Sequence, residues 1–157
     1  MKLYNEDFLL VIDSTPLVSI DLIVRDLNGR ILMGKRRNQP ALGSWFVPGG
    51  RIKKGEDLES AIARIGKDEL CVNITRKEGR LIDVFDHFYD TNFANAKGIQ
   101  TQYVVIAYEY YLDLDINELP LDQHSKWQWF SESQSDKTHK NSADYFKAVQ
   151  KNDAANN

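Results

Sequence analysis

Residues Leu17 to Asp26, LVSIDLIVRD, carry apolar side chains at most positions and read as a buried strand. Asn28-Gly29 then predicts a tight turn, and RILMGKR, Arg30 to Arg36, its hairpin partner, so the chain opens with β structure. Between Asp57 and Leu70 the pattern changes: Leu58, Ala61, Ile62, Ile65 and Leu70 recur at spacings of three, four or five, as on a half-buried helix. Glu56 and Asp57 favour its N-terminus, where the helix dipole attracts negative charge. Further on, GRLIDVFDHFY, TQYVVIAYEYYLDL and KWQWF are rich in β-branched and aromatic residues and predict strands, and SADYFKAVQ predicts a second helix. The final residues, 151–157 (KNDAANN), are expected to be loose. No repeat or low-complexity linker divides the chain, so residues 1–150 are expected to form one domain, an α/β sandwich in which helices cover a sheet.

The 157 residues, 42% of them hydrophobic, suffice for one core. A net charge of -3 and a pI near 5.6 argue against a surface built to coat nucleic acid, so any bound anion is expected to be held locally. The single cysteine, Cys71, excludes an internal disulfide. The start, MKLYNEDFLLVID, has too short an apolar stretch, broken by Asp13, for a secretion signal or membrane span, and a cytoplasmic protein is expected.

The candidate chemistry gathers at WFVPGGRIKKGEDLESAIARIGKDEL, Trp45 to Leu70. Gly49 and Gly50 allow the backbone to approach a ligand closely, which opens a carbonyl there to a metal. Arg64 and Glu69 are five apart on the predicted helix, near enough for Arg64 to steer the carboxylate. Asp68 and Glu69 are about 100° apart round it and can line adjoining edges of one site. Oxygen ligands of this kind suit Mg2+, which also takes substrate phosphate. The bland alternative is a solvated acidic helix face.

The whole segment resembles the Nudix box, G-x5-E-x7-R-E-U-x-E-E-x-G-U, where U is aliphatic. Gly50, Glu56, Arg64, Glu69 and Val72 match; Ile65 replaces the first glutamate after the arginine, Gly66 the aliphatic residue, Asp68 a glutamate and Cys71 the glycine. With STPLVSID, GSWFVPGGR and HFYDTNF, the chain from about Glu6 to Phe130 is similar to the GDP-mannose mannosyl hydrolase branch of that family. The resemblance implies an α/β/α sandwich with a mixed sheet. It implies one divalent cation, Mg2+ with Mn2+ as a substitute, and attack of water on the sugar's anomeric carbon with inversion, releasing GDP and free mannose, with GDP-glucose as a related substrate. It carries metal ligands onto the Gly49 carbonyl, Glu69 and Gln123, with Asp68 as an outer-shell extra, and it implies a homodimer.

Water attack needs a base near neutral pH, and imidazole is the closest in ordinary pKa. The resemblance gives this role to His124, on a loop over the sugar. It places His87 at the sugar, though a core or strand histidine is the plain alternative, and adds Asp21 as a sugar or base-orienting contact. His139 matches no motif and reads as surface. Arg36 and Arg51 match positions that neutralise the leaving diphosphate, a task suited to a planar, permanently charged guanidinium, and Arg37 is the less favoured neighbour. Tyr103 can donate to the same phosphate or be an ordinary strand tyrosine. The resemblance brings Lys2, Leu3 and Phe8 to the guanine, although Phe8 is equally suited to the core. Two rival functions stay open: a conventional Nudix diphosphatase cleaving the P–O–P linkage, and a nucleotide-sugar-binding module without catalysis.

Overall fold

The computed structural model describes residues 4–157. The apolar run in the first strand, β1 (Leu17–Arg25), is explained by burial on both faces. Successive side chains point to opposite sides. Ile20, Leu22 and Val24 join a cluster with Ala61, Ile62 and Ile65 of the helix Leu58–Leu70, while Ile23 joins another with Tyr145, Phe146 and Val149 of the helix Lys140–Ala155. Asp21 shares the face of Ile23, on the side of the Lys140–Ala155 helix.

In chain order the elements are a helix α1 (Asn5–Ser14), β1, β2 (Ile31–Arg36), β3 (Trp45–Phe46), β4 (Gly49–Arg51), the helix α2 (Leu58–Leu70), β5 (Arg80–Tyr89), β6 (Thr101–Tyr111), β7 (His124–Phe130) and the helix α3 (Lys140–Ala155). The seven strands form one sheet with the path β3-β2-β1-β6-β5, and β4 pairs with β1 and β7 with β2. β1 and β6 run parallel and every other pair is antiparallel, so the sheet is mixed. With α2 on one face and α3 on the other, the architecture is the expected α/β/α sandwich.

The turn at Asn28-Gly29 is present, fastened by Asp26, whose carboxylate accepts the Asn28 and Arg30 N–H groups. α2 starts where expected, because the Asp57 side chain accepts the Ser60 N–H at 2.8 Å and caps it. Two differences from expectation have physical causes. The chain does not open with β structure, because α1 forms ahead of β1 over a stretch to which the sequence assigned no element; Ile12 is its one buried side chain, and Glu6 and Asp7 stand in its first turn, where the helix dipole favours negative charge. The C-terminal residues are not loose as far as Ala155, because α3 continues there. Asp153 pairs with Arg80 at 2.7 Å and with Arg25 at 3.6 Å, and both arginines also hold the buried Glu109, so the end of the helix is pinned to the sheet.

Candidate active site

Pairing of β1 with β4 sets Asp21 opposite Gly49 and Ser19 opposite Arg51. The approach is close: a Cβ on Gly49 would lie 2.5 Å from Asp21 Oδ1 and 2.6 Å from the Ile20 carbonyl oxygen, so this position admits only glycine without rearrangement. Beside this pair opens a cavity of about 470 Å3. Its lining brings together all ten expected site residues that fall among those described: Phe8, Asp21, Arg36, Gly49, Arg51, Glu69, His87, Tyr103, Gln123 and His124. Lys2 and Leu3 lie outside the described residues.

The box helix contributes less to the cavity than its charges suggest. Arg64 does not steer Glu69: its guanidinium holds Glu56 through two bonds of 2.7 and 2.8 Å, donates to the Arg51 carbonyl at 2.8 Å and pairs with Asp68 at 3.7 Å. Five residues on a helix amount to a rotation of about 140°, which turns Arg64 and Glu69 apart. The arginine holds the Glu56 carboxyl down to about 2. Asp68 is largely exposed and does not line the cavity with Glu69. Ile65, where the box has a glutamate, is 1% exposed and belongs to the core beneath Gly50. Glu69 is thus the one carboxylate that α2 turns to the cavity.

His124 is the first residue of β7 and is buried, where a loop position was expected. Its ring packs on Trp127 with centroids 4.5 Å apart and fills space left by Gly34, where any side chain would collide with it. Nε2 lies 3.0 Å from Glu69 Oε2, and Nδ1, also buried, has no hydrogen-bond partner among the described residues. Gln123 is exposed, and its side-chain oxygen accepts from Asn38 at 3.3 Å.

On the opposite wall, burial dominates the electrostatics. It raises the Asp21 carboxyl to about 6, against a Tyr145 hydroxyl bond of 2.6 Å and the charge of Arg36, both of which act downward. His87, buried on β5, is pushed down to about 4 by burial and then by His139, so it is neutral at pH 7. It is therefore both a strand histidine and a cavity residue. Burial also raises Tyr103, which keeps its hydroxyl a donor. Arg36 donates to the Pro40 carbonyl at 2.9 Å and lies over Phe46, and Arg51 lies 4.5 Å over the Phe8 ring, so both cations are held by their surroundings. Arg37 donates to the Leu121 carbonyl and does not line the cavity.

His139 is not a free surface residue. Its Nδ1 accepts the Asn141 N–H at 3.1 Å and caps α3, and its ring packs on Phe46 at 4.3 Å, so burial lowers its pKa. Sequence reasoning also passed over Tyr89, which lines the cavity, and Tyr145, which reaches Asp21 from behind. Nothing in SADYF marked that tyrosine beyond its place on the apolar side of a helix.

A divalent cation fits the donors present. Among the described residues no three His, Cys, Asp or Glu side chains cluster in metal-binding geometry, so an ion held by Glu69 needs neutral oxygens as well. The Gly49 backbone and the Gln123 side chain border the same cavity, and oxygen-only donors are the class Mg2+ takes.

A family model described as NUDIX domain matches residues 15–150. The low-salt glycan biosynthesis protein Agl8 of Haloferax volcanii is 40% identical over 130 residues, covering 82% of this chain and 80% of that protein. Among solved structures, a MutT protein from Methanosarcina mazei Go1 superposes with a TM-score of 0.69 at 18% identity, covering 88% of this chain and 97% of that one. A MutT NUDIX hydrolase from Burkholderia pseudomallei gives 0.65 at 25% identity over 87% and 99%. Members of the family generally use divalent metal ions. Sequence match and superposition agree along nearly the whole chain, and the protein belongs to the Nudix hydrolase family.

Proposed function

We propose that this Nudix hydrolase cleaves GDP-mannose, and GDP-glucose as a related substrate, to GDP and free sugar by attack of water on the anomeric carbon. The observation that carries the reading is Ile65: the position of a box glutamate is filled by a core side chain, and α2 keeps only Glu69 at the cavity. A site that activates water against phosphorus draws on several box carboxylates, whereas attack at carbon needs only a held diphosphate and a base on the sugar side. That Agl8 is named for glycan biosynthesis supports a sugar nucleotide as the substrate class.

The oxygen of water forms a bond to the anomeric carbon from the face opposite GDP. The carbon–oxygen bond to the β-phosphate breaks with its electron pair going to GDP, and the water's proton passes to a base. Arg36, Arg51 and the Tyr103 hydroxyl neutralise the charge that develops on the diphosphate. Glu69, the Gly49 carbonyl and Gln123 would hold Mg2+, which would supply electrostatic stabilisation of the same leaving group. His124 is the proposed base, with Asp21 beside the sugar, and the active unit is a homodimer.

Hydrolysis of GDP-mannose with Mg2+ in oxygen-18 water tests the proposal. The label is expected in mannose, the β anomer is expected first, and GDP stays unlabelled. Label on phosphorus, with GMP and mannose 1-phosphate as products, would establish the conventional diphosphatase, and no turnover at any metal concentration would leave a binding module.

A further inference from the structure

We propose that Tyr145 positions Asp21 for the reaction, so that α3 supplies an orienting group to a site otherwise built from the sheet, its loops, α1 and α2. The inference rests on the proposed attack at the sugar carbon beside Asp21 and deepens it.

An aspartate carboxylate is attached through a torsion with a broad, two-fold preference, so its plane is set by hydrogen bonds rather than by the rotamer. Among the described residues the one hydrogen bond to this carboxylate is the Tyr145 hydroxyl, which donates to Oδ2 at 2.6 Å. The other oxygen, Oδ1, stands against Gly49 at the cavity wall. One oxygen is thus committed to α3 and the other is left beside Gly49 at the cavity wall.

Tyr145 is rigidly seated. It is 0% exposed and packs edge-on against Phe85 with centroids 5.1 Å apart. α3 is fixed to the sheet on both sides of it. Ser142 Oγ accepts the Val47 N–H and Asn141 donates to the Tyr89 hydroxyl on one side, and Asp153 pairs with Arg80 and Arg25 on the other. Burial keeps the phenol protonated, so it is a permanent donor. Tyr110 supplies a contrast: equally buried in the opposite layer, it donates to the Thr75 carbonyl, the ordinary solution for a core tyrosine. Tyr145 directs its donor to a cavity carboxylate instead.

The test is a kinetic cycle of Tyr145→Phe and Asp21→Ala with GDP-mannose and Mg2+. Tyr145→Phe retains the ring and is expected to lower kcat about tenfold while KM and GDP inhibition stay within about twofold, because only the orientation of a reacting-side group is lost. In the Asp21→Ala background the same substitution is expected to have no further effect. An unchanged kcat in the single variant, or an equal fall in both backgrounds, would overturn the positioning role. A crystal structure of Tyr145→Phe gives a readout independent of turnover: the Asp21 carboxylate plane is expected to rotate. If the wild type releases no mannose, the functional proposal fails on that result alone. The positioning inference is then decided by the crystal structure, where an unmoved Asp21 overturns it.

Discussion

Between Glu56 and Glu69 stand five carboxylates, and four of them serve the helix and its surroundings. Glu56 and Asp68 are taken by Arg64, Asp57 caps α2, and Glu59 accepts the Arg76 N–H. Across the cavity the sheet wall has few charges, but burial moves them toward neutrality, with Asp21 up to about 6 and His87 down to about 4. A dense acidic motif here builds a scaffold around the one carboxylate that reaches the cavity. Opposite it burial favours the uncharged forms, which brings the Asp21 equilibrium closer to neutral pH, where proton transfer is most effective, and takes that of His87 away from it.

The sharpest way to break this comparison is to restore the missing box glutamate. Ile65→Glu places an unpaired carboxylate in the core beneath Gly50, and a loss of about 4 kcal/mol or more is expected, read by denaturant unfolding. A variant that keeps the wild-type midpoint and moves the oxygen-18 label onto phosphorus would show that position 65 opens to the cavity after all.

Glu69→Gln has the next largest effect, on activity rather than on fold. It keeps the shape and a hydrogen-bonding partner for His124 Nε2 while removing the charge, so the unfolding midpoint should barely move. kcat/KM is expected to fall about a hundredfold and the Mg2+ requirement to rise, as measured by metal titration of turnover. An unaltered metal dependence would remove Glu69 from the ligand set and leave α2 with no working carboxylate.

Much of this was legible in the chain, for reasons that can be named. The strands, the turn at Gly29 and the span of α2 follow from local periodicity and capping, which the surroundings reinforce. The residues gathered at the cavity followed from the match to a family pattern, since Gln123 and His124 lie more than fifty residues from Glu69 and no local rule connects them. What stayed hidden depends on partners distant in sequence. Helix spacing alone set Arg64 near Glu69, but the loop returns Glu56 to it first. The last turns of α3 looked loose because Arg25 and Arg80, which hold Asp153, and Glu109, which holds both arginines, come from three different strands. His139 carried no signal because a histidine cap is recognised only once its helix is in place.

The smallest effect separates the two walls by pH. Glu56 has its pKa lowered to about 2 by Arg64, so the stability it contributes is present above its unfolded value of about 4.5 and is lost as pH falls toward 2. His87 is lowered by burial to about 4, so the unfolded chain takes up the proton first, and stability is lost as pH falls from about 6.5 to 4; His139 adds in the same direction. Asp21 works the other way. With its folded pKa raised to about 6, the native state binds the proton first, and stability is gained as pH falls from about 6 through its unfolded value near 3.8. The histidines and Asp21 therefore oppose one another on the sheet wall, and the wild-type unfolding midpoint should change little between pH 6.5 and 4. His87→Gln should expose the Asp21 contribution, so that the variant gains stability on acidification across that range. Glu56→Gln should lower stability by about 1 kcal/mol near neutral pH, for a partly exposed pair, without changing the slope above about pH 5, and should flatten only the acid limb below it. Urea unfolding of the three proteins from pH 7 to 3 measures both windows. If His87→Gln tracks the wild type throughout, the histidine titrates as it does in water, and the sheet wall is no less solvated than the helix it was contrasted with.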